Sequence, residues 1–316
     1  MKKVLFDTDI GIDDAMALLF LHYSPEVELQ AIITGFGNAS IENTTRNTLF
    51  MKDKFSILAP VFRGADRPYS LSKDIEFECL YPDFVHGENG LGDINIPEAV
   101  GRVQPLPGAE AIVEQITQQP GEISVVAVGR LTNLAHALDL CPELPQLVKE
   151  VIVMGGAFGY KGHQGNVTAF AEANIWGDVL AAQRVLEADF PLTMVGLDVT
   201  EETVATSALF DRLRDEAGEA GKFIHQISRH YLQFHENTRG CFECPLHDAS
   251  AVAYLLRPHL YTTEQAQVEV VQLGERIGQT VERAQTTKIL KNSVKICTQV
   301  EAEKVLDLYC SVLART

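Results

Sequence analysis

The residues best suited to chemistry lie at the start of the chain. Asp7, Asp9, Asp13 and Asp14 fall within eight residues, in Asp7-Thr8-Asp9-Ile10-Gly11-Ile12-Asp13-Asp14, with no Lys or Arg among them. Carboxylates so close repel one another. A fold retains such a cluster when a cation sits in it, and oxygen donors are what a hard divalent ion prefers. Gly11 permits a sharp backbone turn there. A helix start capped by Asp9 or Asp13 is the plainer alternative, but one Asp would suffice for it. Further polar residues recur after apolar runs: Asn38, His86, Thr132-Asn133, Asn166, Glu172, Asn174 and His247-Asp248. Each alone has an ordinary reading as a turn residue, loop histidine, buried hydrogen-bonding group or helix cap. For Thr132 and Asn133 we keep the capping reading. Glu172 and Asn174 stand two apart, which on an extended segment points both side chains the same way.

The elements that must position these residues follow a repeated pattern. Val4-Leu5-Phe6, the acidic loop and Ala15 to Leu21 read as buried strand, tight turn and helix. Val27 to Ile33 is a strand running into a glycine-rich turn, and Ile41 to Lys52 a helix. Phe55 to Leu58 and Pro60 to Phe62 read as short strands. Residues 64–107 are rich in Gly, Pro and polar residues, and a loop region that long suggests a functional flap. A helix over 109–118, strands at 123–128, 151–154 and 192–195, a glycine-rich loop to Asn174 and a helix to Ala188 follow. Helices near 221–237 and 248–256, strands at 267–271 and 294–297 and a final helix from Glu301 complete the chain. Runs of Val and Ile without alternation mark strands buried on both faces. Together they predict one α/β domain over 1–316: an open, doubly wound, mostly parallel sheet whose site lies at the C-terminal ends of the strands. No Gly-x-Gly-x-x-Gly follows the first strand and no Gly-Lys-Ser/Thr follows a glycine loop, so dinucleotide and P-loop folds are not indicated.

The 316 residues carry a net charge of −17, with 46% hydrophobic and 22% charged residues. That charge argues against nucleic-acid and anionic membrane surfaces as partners. Asp7 and Asp9 interrupt any signal-peptide core, and apolar runs are too short to span a bilayer, so a cytoplasmic protein is expected. Cys79, Cys141, Cys241, Cys244, Cys297 and Cys310 are then expected as free thiols. Cys241 and Cys244 have CxxC spacing but no second pair for zinc and no thioredoxin-like context.

Taken together, Asp7-x-Asp9-x-Gly11-x-Asp13-Asp14-Ala15, Asn38, His86-Gly87, Met154-Gly155-Gly156, Asn166, Glu172-x-Asn174 and His247-Asp248 resemble the inosine–uridine-preferring nucleoside hydrolase family. The resemblance spans residue 4 to about residue 260, and it is nearest the bacterial non-specific ribonucleoside hydrolases, through Glu42 to Asn47 and His86 to Gly90. It implies hydrolysis of ribonucleosides to ribose and free base. It also implies one Ca²⁺ held by Asp9, Asp14, Asp248 and the main-chain carbonyl of Val128, with Asp7 supporting the cluster from behind. By motif position Asp13 is the general base for the attacking water. Asn38, Asn166, Glu172 and Asn174 bind the ribose hydroxyls, and His247 is the acid for the leaving base, assisted by His86. Relatives of this kind form homodimers or homotetramers. The chemistry is that of glycoside hydrolysis by two opposed groups around an oxocarbenium-like C1′.

The chain departs from the family pattern at several places. Ile10 stands where Pro is usual, which should loosen the turn. Arg130 replaces a common Pro or Gly, Ala173 replaces Phe, and Tyr160 to Gln164 look inserted. Residues 231–244 would contact the base and set which base is preferred. Two other classes share part of this pattern. A haloacid-dehalogenase-type phosphatase also opens with Asp-x-Asp, but expects Thr or Val where Gly11 stands. A non-catalytic EF-hand module fails because Gly11, Ile12 and Leu18 occupy positions needing a ligand, a Gly and a Glu.

Overall fold

The computed structural model describes residues 1–315 except 72–76, 78–80 and 284–292. The strands are β1 (Lys2–Thr8), β2 (Val27–Thr34), β3 (Val61–Arg63), β4 (Ile123–Ala127), β5 (Glu150–Met154), β6 (Leu192–Val195), β7 (Val204–Thr206), β8 (Glu243–Pro245), β9 (Tyr261–Val270), β10 (Thr280–Arg283) and β11 (Val294–Val300). Nine of them form one sheet in the order β10-β9-β11-β6-β5-β4-β1-β2-β3. The seven from β11 to β3 run parallel, and β9 and β10 add an antiparallel edge. The fold class expected from the sequence is the one observed.

Alternation along each strand explains the unbroken apolar runs. Val4 and Phe6 enter one core with the helix Ile12–Tyr23, while Leu5 enters a second core with helices Gly108–Gln118 and Thr132–Leu140. Val126 and Ile152 likewise face the first core, and Val125, Val151 and Val153 the second. Side chains that alternate between two filled faces must all be apolar. The helix Ile12–Tyr23 is buried from Ile12 to Leu21, so it is packed by the sheet, by helix His247–Leu256 and by helix Gly218–Arg239 at once. Truncating one of its leucines to Ala would cost about 2–5 kcal/mol.

The strand order places the site. From β1 the chain moves outward to β2 and β3, then returns to the other side of β1 as β4. Such a reversal opens a crevice beyond the carboxyl ends of the two central strands. Asp7 is in register with Ala127, and the Val128 N–H donates to the Asp7 carbonyl. The acidic loop and the Val128 carbonyl are therefore brought side by side at the switch point.

Some expectations are corrected. Phe55 to Leu58 is not a strand. The run closes helix Ile41–Lys54, with Ser56 at φ 54° and Lys52 Nζ donating to the carbonyls of Ile57, Leu58 and Ala59. Its apparent alternation comes from a turn that buries Phe55 and Ile57 and leaves Leu58 exposed. The structure adds the helix Ser207–Glu216, the turn of helix Leu197–Thr200 and the β7–β8 pair, none of which the sequence pattern announces. Helix Ser207–Glu216 buries only Phe210 and Leu213, too sparse a stripe to stand out. Cys141, Cys241, Cys244, Cys297 and Cys310 are free thiols, as expected; Cys79 lies outside the described residues, as does part of the loop-rich stretch over 64–107. Among the described residues no helix is long and apolar enough to cross a membrane.

Candidate active site

The floor of the site is the turn between β1 and the helix Ile12–Tyr23. Asp14, fully buried, is held by four neutral donors. Its Oδ1 accepts from Thr8 Oγ1 (2.5 Å) and the Asp9 N–H (3.2 Å), and its Oδ2 from the Gly11 N–H (2.9 Å) and Asn38 Nδ2 (2.7 Å). Asp9 Oδ2 accepts from the Asn38 N–H at 2.8 Å. Asp7 Oδ1 accepts from Asn133 Nδ2 at 2.7 Å. Among the described residues Asp7 Oδ2, Asp9 Oδ1 and Asp13 Oδ1 are buried with no hydrogen-bond partner. Asp248, second residue of helix His247–Leu256, joins them: Asp13, Asp14 and Asp248 bring carboxyl oxygens within 4.8 Å of one another. Close backbone approach makes room for this. A Cβ on Gly37 would sit 1.8 Å from Asp9 Oδ2, and one on Gly129 2.6 Å from Asp9 Oδ1.

The electrostatics follow from burial with little counter-charge: Arg130 reaches Asp9 alone. Burial lifts the Asp7 carboxyl to about 7 against the Asn133 hydrogen bond. Burial, then the charge of Asp14, lifts Asp13 to about 8. Asp9 and Asp248 are raised for the same reasons, burial first and neighbouring aspartates next, with Arg130 pulling Asp9 partly back. Such groups take up protons or a cation. Unpartnered buried carboxyl oxygens and an all-oxygen donor set fit a hard divalent ion. The turn itself is firm despite Ile10, whose side chain is in the core and whose carbonyl accepts from Asn47 Nδ2 (3.3 Å).

A wall of histidines and aromatics stands over the floor. His86 ends the short helix Asp83–His86; its Nδ1 accepts from the Ile12 N–H at 3.2 Å and lies 3.9 Å from Asp13 Oδ1. Asn47 and Asn43, both within the segment that carried the bacterial resemblance, pin the following turn by donating to the carbonyls of Asn89 and Glu88. Tyr231 stacks on His86 at 5.9 Å, and His235 meets Tyr231 edge-on at 4.7 Å. His247 Nδ1 pairs with Thr200 Oγ1 at 2.8 Å. Burial, with neighbouring positive or protonatable groups, pushes His86 and His247 to about 3 and His235 to about 4, so all three rings are neutral at pH 7. Asp13 and His247 are each 7% exposed and His86 5%.

The expected ribose-binding residues sit unevenly around this floor. Glu172 is buried, and its charge reaches Asp13 and Asp248. It is also the N-cap of helix Ala173–Gly177, accepting from the N–H groups of Asn174 (2.8 Å), Ile175 (3.1 Å) and Gly156 (3.0 Å). Asn174 Nδ2 donates to the Val128 carbonyl at 2.7 Å. Glu172 and Asn174 thus share a helix start rather than an extended segment, because Glu172 finds three backbone donors there. Asn166 is exposed, its Oδ1 accepting from the Ala173 N–H at 3.0 Å, and it is the one candidate at the margin.

The capping reading of Thr132 and Asn133 is overturned. Helix Thr132–Leu140 has no side-chain cap; Asn133 spans Asp7, the Thr34 carbonyl and the Ala65 N–H, and Thr132 donates to Asp178. Polar residues at a helix start can serve either end of the bond, and the sequence does not say which. Tyr231 and His235 lie in the stretch 231–244 expected to contact the base, although the sequence does not single them out within it. Thr8 and Thr200 carry no assignment from the sequence; Thr8 has a signal in its place between two aspartates.

A family model described as inosine-uridine preferring nucleoside hydrolase matches residues 4–307. The chain belongs to this family. It is 32% identical to the inosine-uridine preferring nucleoside hydrolase of Crithidia fasciculata, covering 99% of this chain and 98% of that one. It is also 32% identical to the pyrimidine-specific ribonucleoside hydrolase RihB of Escherichia coli (strain SE11), over 89% and 87%. Among solved structures it superposes on the purine-preferring ribonucleoside hydrolase of Gardnerella vaginalis with a TM-score of 0.93 and 31% identity, covering 99% and 98%. The protein is an enzyme, a nucleoside hydrolase that cleaves the N-glycosidic bond of ribonucleosides. The phosphatase and calcium-module readings fall away.

Proposed function

We propose that this nucleoside hydrolase works with one Ca²⁺ on the acidic floor, held by Asp9, Asp14, Asp248 and the Val128 carbonyl. The observation that carries this reading is the convergence of Asp13, Asp14 and Asp248, whose carboxyl oxygens lie within 4.8 Å of one another; Asp9 enters the ligand set by the family resemblance and by its buried Oδ1, which has no hydrogen-bond donor among the described residues. When bound, the ion would anchor the ribose hydroxyls and acidify the attacking water. Asp13 is the general base: its Oδ1 is free, and burial lifts its proton affinity toward that of a group able to take a proton near neutral pH. Asp7 holds the cluster from behind through Asn133. Glu172, Asn174 and Asn38 orient the sugar while anchoring the backbone around it, and Asn166 closes the ribose from the margin.

His247 is the donor to the departing base, assisted by His86. Tyr231 and His235 supply the surface against which the base lies; His235 has both ring nitrogens unpartnered among the described residues. The substrates are ribonucleosides of purine or pyrimidine bases. We also take the protein to be a homodimer or homotetramer, a reading that rests on the family resemblance and is checked by light scattering, and to be cytoplasmic, which cell fractionation checks.

The test is release of hypoxanthine from inosine and uracil from uridine with no phosphate present, before and after chelation and on readdition of Ca²⁺. Base release that survives complete chelation would sink the metal assignment. Absence of release from a panel of inosine, uridine, cytidine and adenosine would sink the substrate class.

A further inference from the structure

We infer that Thr200 is a positioning residue that sets the tautomer of His247 and so decides which ring nitrogen meets the leaving base. This rests on the reading of His247 as the partner of that base. Thr200 is fully buried and ends the four-residue helix Leu197–Thr200 that follows β6. That helix is fixed from both sides. The Leu197 N–H donates to the Gly156 carbonyl at 2.8 Å, and buried Asp198 accepts from the N–H groups of Phe158 (2.9 Å) and Tyr160 (2.7 Å). The Leu246 N–H donates to the Thr203 carbonyl at 2.9 Å, which sets the register between this segment and the start of helix His247–Leu256. Thr200 Oγ1 and His247 Nδ1 therefore meet at 2.8 Å through rigid connections.

Which atom donates follows from counting hydrogens. A threonine hydroxyl has one hydrogen to place, and a buried donor left unmade is costly. Among the described residues the only hydrogen bond of the Thr200 side chain is the one to His247 Nδ1. The hydroxyl therefore donates and Nδ1 accepts, so the single proton of the neutral ring resides on Nε2. His86 obeys the same rule by a different donor: its Nδ1 accepts from the Ile12 N–H, and a backbone N–H can only donate. Both site histidines are thus held as Nε2–H rings. Nδ1 being turned to Thr200, Nε2 on the far side of the ring is the atom offered to the base. As the C1′–N bond breaks, its electron pair moves onto the base. The Nε2–H hydrogen bond stabilises that charge, while the proton released by the attacking water goes to Asp13.

Replacing Thr200 by Val keeps the volume and removes the donor. Thr200→Val is expected to lower kcat on inosine and uridine by about tenfold or more, the worth of one buried hydrogen bond in the transition state, with little change in KM. Turnover of p-nitrophenyl riboside, whose leaving group is stable as an anion, should be unchanged, and Thr200→Ser should restore the nucleoside rate. In the wild-type protein ¹⁵N NMR of the His247 ring, assigned against His247→Asn, should show a protonated Nε2 and a bare Nδ1. In Thr200→Val the two tautomers should mix. A protonated Nδ1 in the wild type, equal losses on nucleoside and p-nitrophenyl riboside, or full nucleoside activity in Thr200→Val would each overturn the inference. If Thr200→Val does not fold, the wild-type spectrum and Thr200→Ser decide. A wild type that releases no base from any nucleoside defeats the functional reading instead, and the NMR measurement still judges the tautomer.

Discussion

Two acidic clusters in this molecule were given opposite treatment. On the surface, Glu201 and Glu202 are matched cation for anion. His163 bonds Glu201 through Nδ1 (3.0 Å) and Glu202 through Nε2 (2.6 Å), Arg239 pairs with Glu201 (2.7 Å) and Lys161 with Glu202 (3.0 Å). His163 and Lys161 belong to the segment that looked inserted, so that segment is a strap tying the glycine-rich loop to the turn beyond Thr200. On the floor, Asp7, Asp9, Asp13, Asp14 and Asp248 receive almost only neutral donors, and three of their oxygens receive none. The His163 and Lys161 bonds pull the Glu202 carboxyl below its ordinary range, whereas burial pushes Asp13 to about 8. A cluster compensated from within is structure. A cluster left uncompensated at a strand switch point awaits a charge from outside.

The sharpest way to break that contrast is to neutralise one carboxylate in each cluster. Asp13→Asn should fold with unchanged circular dichroism and lose on the order of 10²–10⁴-fold in kcat, the range of a general base. Glu202→Gln should leave kcat within error. Full activity in Asp13→Asn would show that the floor needs no base at that position.

Metal and pH sharpen the contrast next. For Asp7 and Asp13 the folded-state pKa values, about 7 and about 8, lie above the ordinary aspartate value near 3.8. Each contributes stability that is fully present below the unfolded value and is lost as pH rises through the folded one. The metal-free protein should therefore lose melting temperature between about pH 4 and pH 8. On the proposed reading Ca²⁺ would bind the deprotonated form, so its stabilisation, about 2.7 kcal/mol at a hundred times Kd, should be larger near pH 8 than near pH 5. Calorimetry with and without Ca²⁺ checks both slopes; a Ca²⁺ shift that shrinks as pH rises would contradict the floor as a cation site.

The same comparison shows what was legible in the sequence. Aspartates crowded into one turn with no Lys or Arg among them were readable as an acidic cluster able to hold a cation, because repulsion within a turn needs no tertiary information. The parallel sheet was readable because doubly buried strands must be continuous apolar runs. Asn133 was not, since its partners Asp7, Thr34 and Ala65 lie 68 or more residues away in sequence. Nor was the strap, because Glu201 and Glu202 look like any exposed helix end until His163 is folded onto them. Phe55 to Leu58 misled because a turn that buries alternate residues mimics a strand.

A subtler break uses backbone rather than charge. Gly37 has an ordinary φ, but a Cβ there would press against Asp9 Oδ2 at 1.8 Å. Gly37→Ala should therefore push that carboxylate off its position and weaken Ca²⁺ affinity about 10- to 100-fold, the usual effect of disturbing a ligand's supports. Isothermal titration measures this, and an unchanged Kd would mean that Asp9 is not a ligand.

The smallest effect belongs to the strap. Burial works to lower the His163 pKa, but Glu202 and Glu201 together overcome it and the net shift is upward. A raised histidine contributes stability that is fully present below its unfolded value near 6.5 and is lost as pH rises through the folded one. The partners are partly exposed, so screening limits the contribution to about 1 kcal/mol or less. His163→Gln should accordingly lower the melting temperature slightly near pH 6 and not at all near pH 9, with kcat unchanged at both. A loss of activity as large as that of Asp13→Asn would erase the distinction between the two clusters, because the strap would then be part of the reaction rather than of the frame that holds it.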